Sequence, residues 1–81
     1  MKATVLIRPK EGILDPQGEA VGEALRLLGF DVSSARVGRL VDVEIEATDP
    51  DEARAAAAQM ARDLLANPLI ESFTIELEPS E

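Results

Sequence analysis

Residues 15–29 constrain the fold more than any other stretch, because they hold a complete set of start and stop signals for one helix. Asp15 can accept hydrogen bonds from the open amides of the turn after it, and Pro16 at the first helical position gives up no bond and already has a helical φ. Ala20, Val21, Ala24, Leu25 and Leu28 then recur on one face, and Gly29 stands where a left-handed residue closes a helix. A second start lies at Asp49-Pro50, with Asp51 and Glu52 complementing the positive end of the helix dipole. Ala53, Ala56, Ala57, Met60, Ala61, Leu64 and Leu65 make its apolar stripe, and Asn67-Pro68 stops it, since a residue before proline avoids the helical region.

Between and around these helices the pattern has the period of strands. Lys2 to Arg8 is aliphatic and β-branched on both faces, as in a central strand, whereas Val41, Val43, Ile45 and Ala47 alternate with Asp42, Glu44 and Glu46 to give one dry and one acidic face. Phe73, Ile75 and Leu77 repeat that alternation near the end of the chain, whose last three residues are expected to fray. Val32 to Val37 alternates weakly and is rich in serine. Gly38 after it fits either a tight hairpin turn or a bulge in one long bent strand. The resulting order, βαββαβ, predicts a two-layer α+β fold: a four-stranded antiparallel sheet with two helices on one face, in a ferredoxin-like layout. The two Asp-Pro starts reflect shared capping chemistry rather than an internal repeat.

A chain of 81 residues reads as a single domain, 1–81, and one this short buries only about 60% of its unfolded-chain surface. Subunits that bury more are therefore expected, as homodimers or higher even oligomers joined through an edge strand at Val32 to Val37. The absence of cysteine and histidine removes the usual zinc ligands and the usual nucleophile and base of hydrolytic triads. With 16 acidic against 8 basic residues and only two aromatics, both phenylalanine, the chain is poorly suited to nucleic acid. Its apolar runs are strand-sized, which argues against a membrane span, and the start Met1-Lys2-Ala3-Thr4 is strand-like rather than signal-like, so a cytoplasmic location is expected. The acidic groups Asp42/Glu44/Glu46 and Asp49/Asp51/Glu52 sit on an exposed strand face and at a helix cap, not in a pocket that could separate two pKa values. Gly12 and Gly18 flank a helix start but match neither a dinucleotide fingerprint nor a P-loop. Arg8 and Lys10 at the first strand's exit, with Arg36 and Arg39 around Gly38, form either a contact surface or ordinary solubilising charge.

These segments resemble the PurS family, the small subunit of phosphoribosylformylglycinamidine synthase. The resemblance rests on the initial Lys-x-x-Val strand, the turn with Gly12, Asp15, Pro16 and Gly18, the Leu28-Gly29 stop, and Val37-Gly38-Arg39 followed by an acidic strand. Where the family commonly has Gly-Lys and often an aromatic after it, this chain has Gly38-Arg39-Leu40. The resemblance implies a PurS-like fold and a subunit with no catalytic centre of its own, dimeric, bridging a glutaminase subunit and a large ATP-dependent synthetase subunit and supporting ammonia transfer between them. It implies that no cofactor is bound by this chain and that ATP and glutamine bind on the partners. Arg8, Lys10, Gly12, Asp15, Pro16, Gly18, Arg36, Gly38 and Arg39 are then the candidate subunit-contact residues. The alternative is an ACT-like amino-acid-binding regulatory module, which shares the element order and carries a glycine-bearing turn before its first helix. Here Asp15-Pro16-Gln17-Gly18 is one residue off that turn's spacing. An acylphosphatase-type enzyme would need a phosphate cradle after Arg8, and no such loop is present.

Overall fold

The computed structural model describes residues 1–78, so the expected fraying of the last three residues lies outside the described residues. Strand β1 (Lys2–Pro9) is central, flanked by β2 (Arg39–Glu44) and β3 (Glu71–Glu78), both antiparallel to it. The register sets Val5 opposite Val41 on one side and Ile75 on the other. One face of this sheet is dry because every second residue of each strand is aliphatic or aromatic, and helix α2 (Pro50–Met60) lies on it.

The contact between α2 and the sheet depends on small side chains. Ala53, Ala57 and Ala61 recur four residues apart and are fully buried, as are Ala3 and Val5 of β1, with Ile7 nearly so. A helix face built of alanine brings its backbone close to the strands, and Val41, Val43, Phe73, Ile75 and Leu77 fill the flanks. Asp49 caps α2, its carboxylate accepting from the Asp51 amide at 3.3 Å. After Met60 the helix widens into a single π-helical turn (Ala61–Leu65), closed by the Ala66 amide donating to the Ala61 carbonyl at 2.9 Å. The wider turn brings Leu65 and Ala66 to the sheet and leaves Leu64 83% exposed, so the expected stripe reaches its last residue but loses Leu64.

Helix α1 (Pro16–Leu27) forms with the expected signals. The Gly18 amide donates to the Asp15 carboxylate at 3.1 Å, and at the other end Gly29, at φ +98°, places the Gly29 and Phe30 amides on the Arg26 and Leu25 carbonyls. Its position differs from expectation. The sheet has three strands, not four, because residues 32–37 bend at Ser33 and join no ladder. Side chains claim backbone groups at both ends of that segment: the Val37 amide donates to Asp15 and the Val32 carbonyl accepts from Arg26. Gly38 is consequently neither a hairpin turn nor a bulge, since no strand precedes it.

The two helices do not share a face of the sheet either. The buried positions of α1 are Gly18 and Gly22, which seat the helix against Ala35 of its own following segment. The aliphatic stripe then has no sheet to cover it: Val21 and Leu28 are 43% and 74% exposed, and no α1 residue joins the buried core. The described fold is α+β, with α1 standing off as an arm. Its Cα radius of gyration is 15.7 Å, against about 12 Å for a compact chain of this length. No helix among the described residues is long and apolar enough to cross a membrane.

Candidate subunit-contact surface

All of the candidate contact residues meet where β1 leaves the sheet and the arm begins. Arg8 and Lys10 flank Pro9 at the strand exit; Gly12, at φ +84°, turns the chain toward Asp15, Pro16 and Gly18; Arg36 and Gly38 lead from the irregular segment 32–38 to Arg39, the first residue of β2. The structure shows what several of them do within the chain.

Asp15 is the centre of the junction. One carboxylate oxygen caps α1 and the other accepts the Val37 amide at 2.9 Å, with the Arg36 guanidinium 3.8 Å away. The Val37 and Gly18 amides, with Arg36 contributing less, hold this carboxyl below its ordinary range. Arg36 also donates to the Pro9 and Lys10 carbonyls, at 3.2 and 2.8 Å. A carboxylate and a guanidinium thus tie three separate chain passes together. The two glycines here are tightly placed. A Cβ on Gly18 would collide with the Asp15 carboxylate and the Ala35 carbonyl, and one on Gly38 with the Ile7 carbonyl.

A second set of bonds joins the strand exit to the loop after the π turn. The Lys10 ammonium donates to the Pro68 carbonyl at 2.7 Å and the Lys10 amide to Ile70 at 2.9 Å. Arg39 forms a forked pair with Glu71, at 2.9 and 3.0 Å, and donates to the Leu65 carbonyl at 2.7 Å. Glu71 in turn accepts the Asn67 amide at 2.8 Å; that bond first, and Arg39 second, keep its carboxyl below the usual value. Neither Asp15 nor Glu71 is set up to trade a proton near neutral pH, because each is stabilised in its ionised form. The described residues hold no group of three or more acidic side chains placed to bind a metal ion.

The candidate residues named from the sequence lie together at one end of β1, but what surrounds them was missed. Sequence reasoning missed the acidic partner Glu71, and it missed that Leu14, Leu64 and Leu69 stand 72%, 83% and 83% exposed around the junction. A signal was present: Leu69 follows the helix-stopping Asn67-Pro68 and precedes the alternating strand, so neither periodic pattern claims it.

Comparison with known proteins agrees with this architecture. The family described as "PurS: Phosphoribosylformylglycinamidine (FGAM) synthase" matches residues 2–79. A phosphoribosylformylglycinamidine synthase subunit PurS from Archaeoglobus fulgidus is 47% identical over 79 residues, covering 93% of this chain and 95% of that one. The crystal structure of PurS from Methanocaldococcus jannaschii, described as one of the subunits of formylglycinamide ribonucleotide amidotransferase in the purine biosynthetic pathway, superposes with a TM-score of 0.86 at 34% identity, over 99% and 98% of the two chains. A chain of the PurLQS structure from Thermotoga maritima gives 0.85 at 26% identity, with 93% of each covered. These matches do not favour the ACT-like alternative. The chain belongs to the PurS family, the small subunit of phosphoribosylformylglycinamidine (FGAM) synthase in purine biosynthesis.

Proposed function

We propose that the protein acts in the cytoplasm as a self-associating, non-catalytic bridge between the glutaminase and the ATP-dependent synthetase subunits, supporting ammonia transfer while ATP and glutamine bind on those partners. The observation that carries the proposal is the uncovered arm. An 8.7 kDa chain packed as a typical monomer exposes about 4,700 Å². This one exposes 5863 Å², roughly 1,100 Å² more. A standard protein interface takes about 800 Å² from each partner, so the surplus matches what a second copy would cover. Val21, Leu28 and Phe30 are the exposed apolar groups such a contact would bury, and a self-complementary patch of this kind closes into a two-fold dimer. Family membership and the likeness to a PurLQS chain support the assignment of larger partners.

Reconstitution with the two larger subunits tests the bridge. Glutamine-driven synthesis is expected to need the protein, whereas synthesis driven by added ammonia is expected to need it far less. Equal glutamine-driven rates with and without it would defeat the proposal.

A further inference from the structure

The dry face of the sheet is wider than the helix that covers it. Helix α2 packs over β1 and β3. Arg54 marks its β3 side, donating to the Ile75 carbonyl at 3.1 Å, and Glu52 marks the other side, since it lines a cleft with Glu44, Ile45 and Glu46 where β2 ends. Ala56 and Met60 follow Glu52 at intervals of one helical turn, so they too lie on the β2 side. On the strand itself Val41 and Val43 belong to the dry face yet are only half-buried, and Met60 above them is 36% exposed. The flank between α2 and β2 is therefore apolar and incompletely covered.

The other helix of the chain has the shape to fill that flank. Along one side α1 exposes Ala20, Val21, Ala24 and Leu28, with no charge among them. Its 12 residues make it about 18 Å long, and the 6 residues of β2 span about 20 Å. Ala20 and Ala24 permit the close approach to strands that Ala53 and Ala57 give α2. Within its own chain, however, α1 is held off the sheet. Gly18 and Gly22 seat it on Ala35, Arg26 donates to the Val32 carbonyl, and the Val37 amide donates to Asp15.

We infer that α1 of each copy lies along the β2 flank of the other copy's sheet, beside that copy's α2, so that two chains exchange arms about a two-fold axis. The inference rests on the self-association proposed above and specifies what the α1 stripe meets. Each chain carries both the stripe and the flank that receives it, so a reciprocal exchange covers both surfaces on both copies at once. Direct pairing of two α1 helices would cover the stripe and leave the flank bare, and a larger subunit seated on the flank would leave the stripe bare. The surplus of roughly 1,100 Å² over a compact monomer is of the size that such an exchange removes. The layer of two helices on one sheet face, expected from the sequence, is then completed between chains instead of within one.

Because the chain has no cysteine, introduced cysteine pairs read this contact directly. Ala24→Cys is combined in turn with Val41→Cys, Val43→Cys and Met60→Cys, and each full-length double variant is oxidised at micromolar concentration. At least one combination is expected to form a covalent dimer roughly tenfold faster than the same partners do with Glu19→Cys, on the far side of α1. A disulfide within one chain would put α1 on its own sheet and overturn the inference. Ala24→Cys alone reaching that rate would pair two α1 helices and overturn it too, as would a panel no faster than the Glu19→Cys controls while the wild type scatters light as an even oligomer. Met60→Glu gives a reading without oxidation: the chain should stay folded by circular dichroism while its oligomer dissociates at roughly tenfold higher concentration. An unchanged dissociation constant overturns the inference. A folded wild-type monomer defeats the self-association itself, a different failure from misplacing what α1 covers.

Discussion

The half of the molecule built from the sheet and α2 and the half built around α1 start from the same grammar and end differently. Both helices begin at Asp-Pro and both carry an apolar stripe. Under α2 the buried positions are alanines set against β1, so the stripe meets a dry sheet face and disappears from solvent. On α1 the buried positions are Gly18 and Gly22, which seat the helix on residues 33–36 and leave its larger aliphatic groups outside. Capping decides where a helix starts. The residues at its closest contacts decide which side is covered, and by what.

Substitutions should separate the two halves by size of effect. The largest loss is expected from Ile7→Ala, which empties a nearly fully buried site under the π turn and should cost about 3 kcal/mol in denaturant unfolding. A cost below about 1 kcal/mol would mean the sheet half is looser than its burial indicates. Gly38→Ala should follow, at about 2 kcal/mol, because the new methyl meets the Ile7 carbonyl and the crossing at the junction must shift. An unchanged stability would show that the junction yields without cost.

Acid should act on the junction between the halves. The carboxyls of Asp15 and Glu71 lie below their ordinary values of 3.8 and 4.5 in the folded chain. A group whose folded pKa is depressed contributes stability that is fully present above its unfolded pKa and is lost as pH falls through the folded one. Unfolding midpoints should therefore hold from neutral pH to about 5 and fall below about 4. Asp15→Asn should begin less stable and show a shallower fall; parallel curves for the two proteins would remove Asp15 from the account. The smallest effect on folding is expected from Leu28→Glu on the arm, within about 0.5 kcal/mol at high dilution, although the rise of Tm with protein concentration should vanish.

Much of this was legible in the sequence, and the rest was hidden for a physical reason. The central place of β1, the caps at Asp15 and Asp49, the left-handed Gly29 and the dry faces of β2 and β3 all follow from local rules that need no distant partner. The fourth strand and the placement of α1 on the sheet required knowing what lies opposite a periodic face, and periodicity says only that something does. The spacing of Gly18 and Gly22 was the available sign of a close backbone approach on the flank of the α1 stripe beside Leu25, not under its centre. At the junction the candidate residues were recognisable, yet the bonds from Asp15 to Val37 and from Arg39 to Glu71 join positions 22 and 32 residues apart, which no local pattern encodes. The π turn belongs to the same class. It arises where an alanine-rich helix must bring Leu65 and Ala66 onto a sheet edge, a demand set by packing.

A second copy is expected to cover the exposed stripe of α1, and the proposed self-association stands or falls on that contact. Light scattering on the purified protein at micromolar concentration, alongside Leu28→Glu, measures this directly. The wild type should have an even multiple of the 8.7 kDa chain mass and the variant a single chain mass, with both folded by circular dichroism. A folded wild-type monomer, or a variant that keeps the wild-type mass, would contradict the claim.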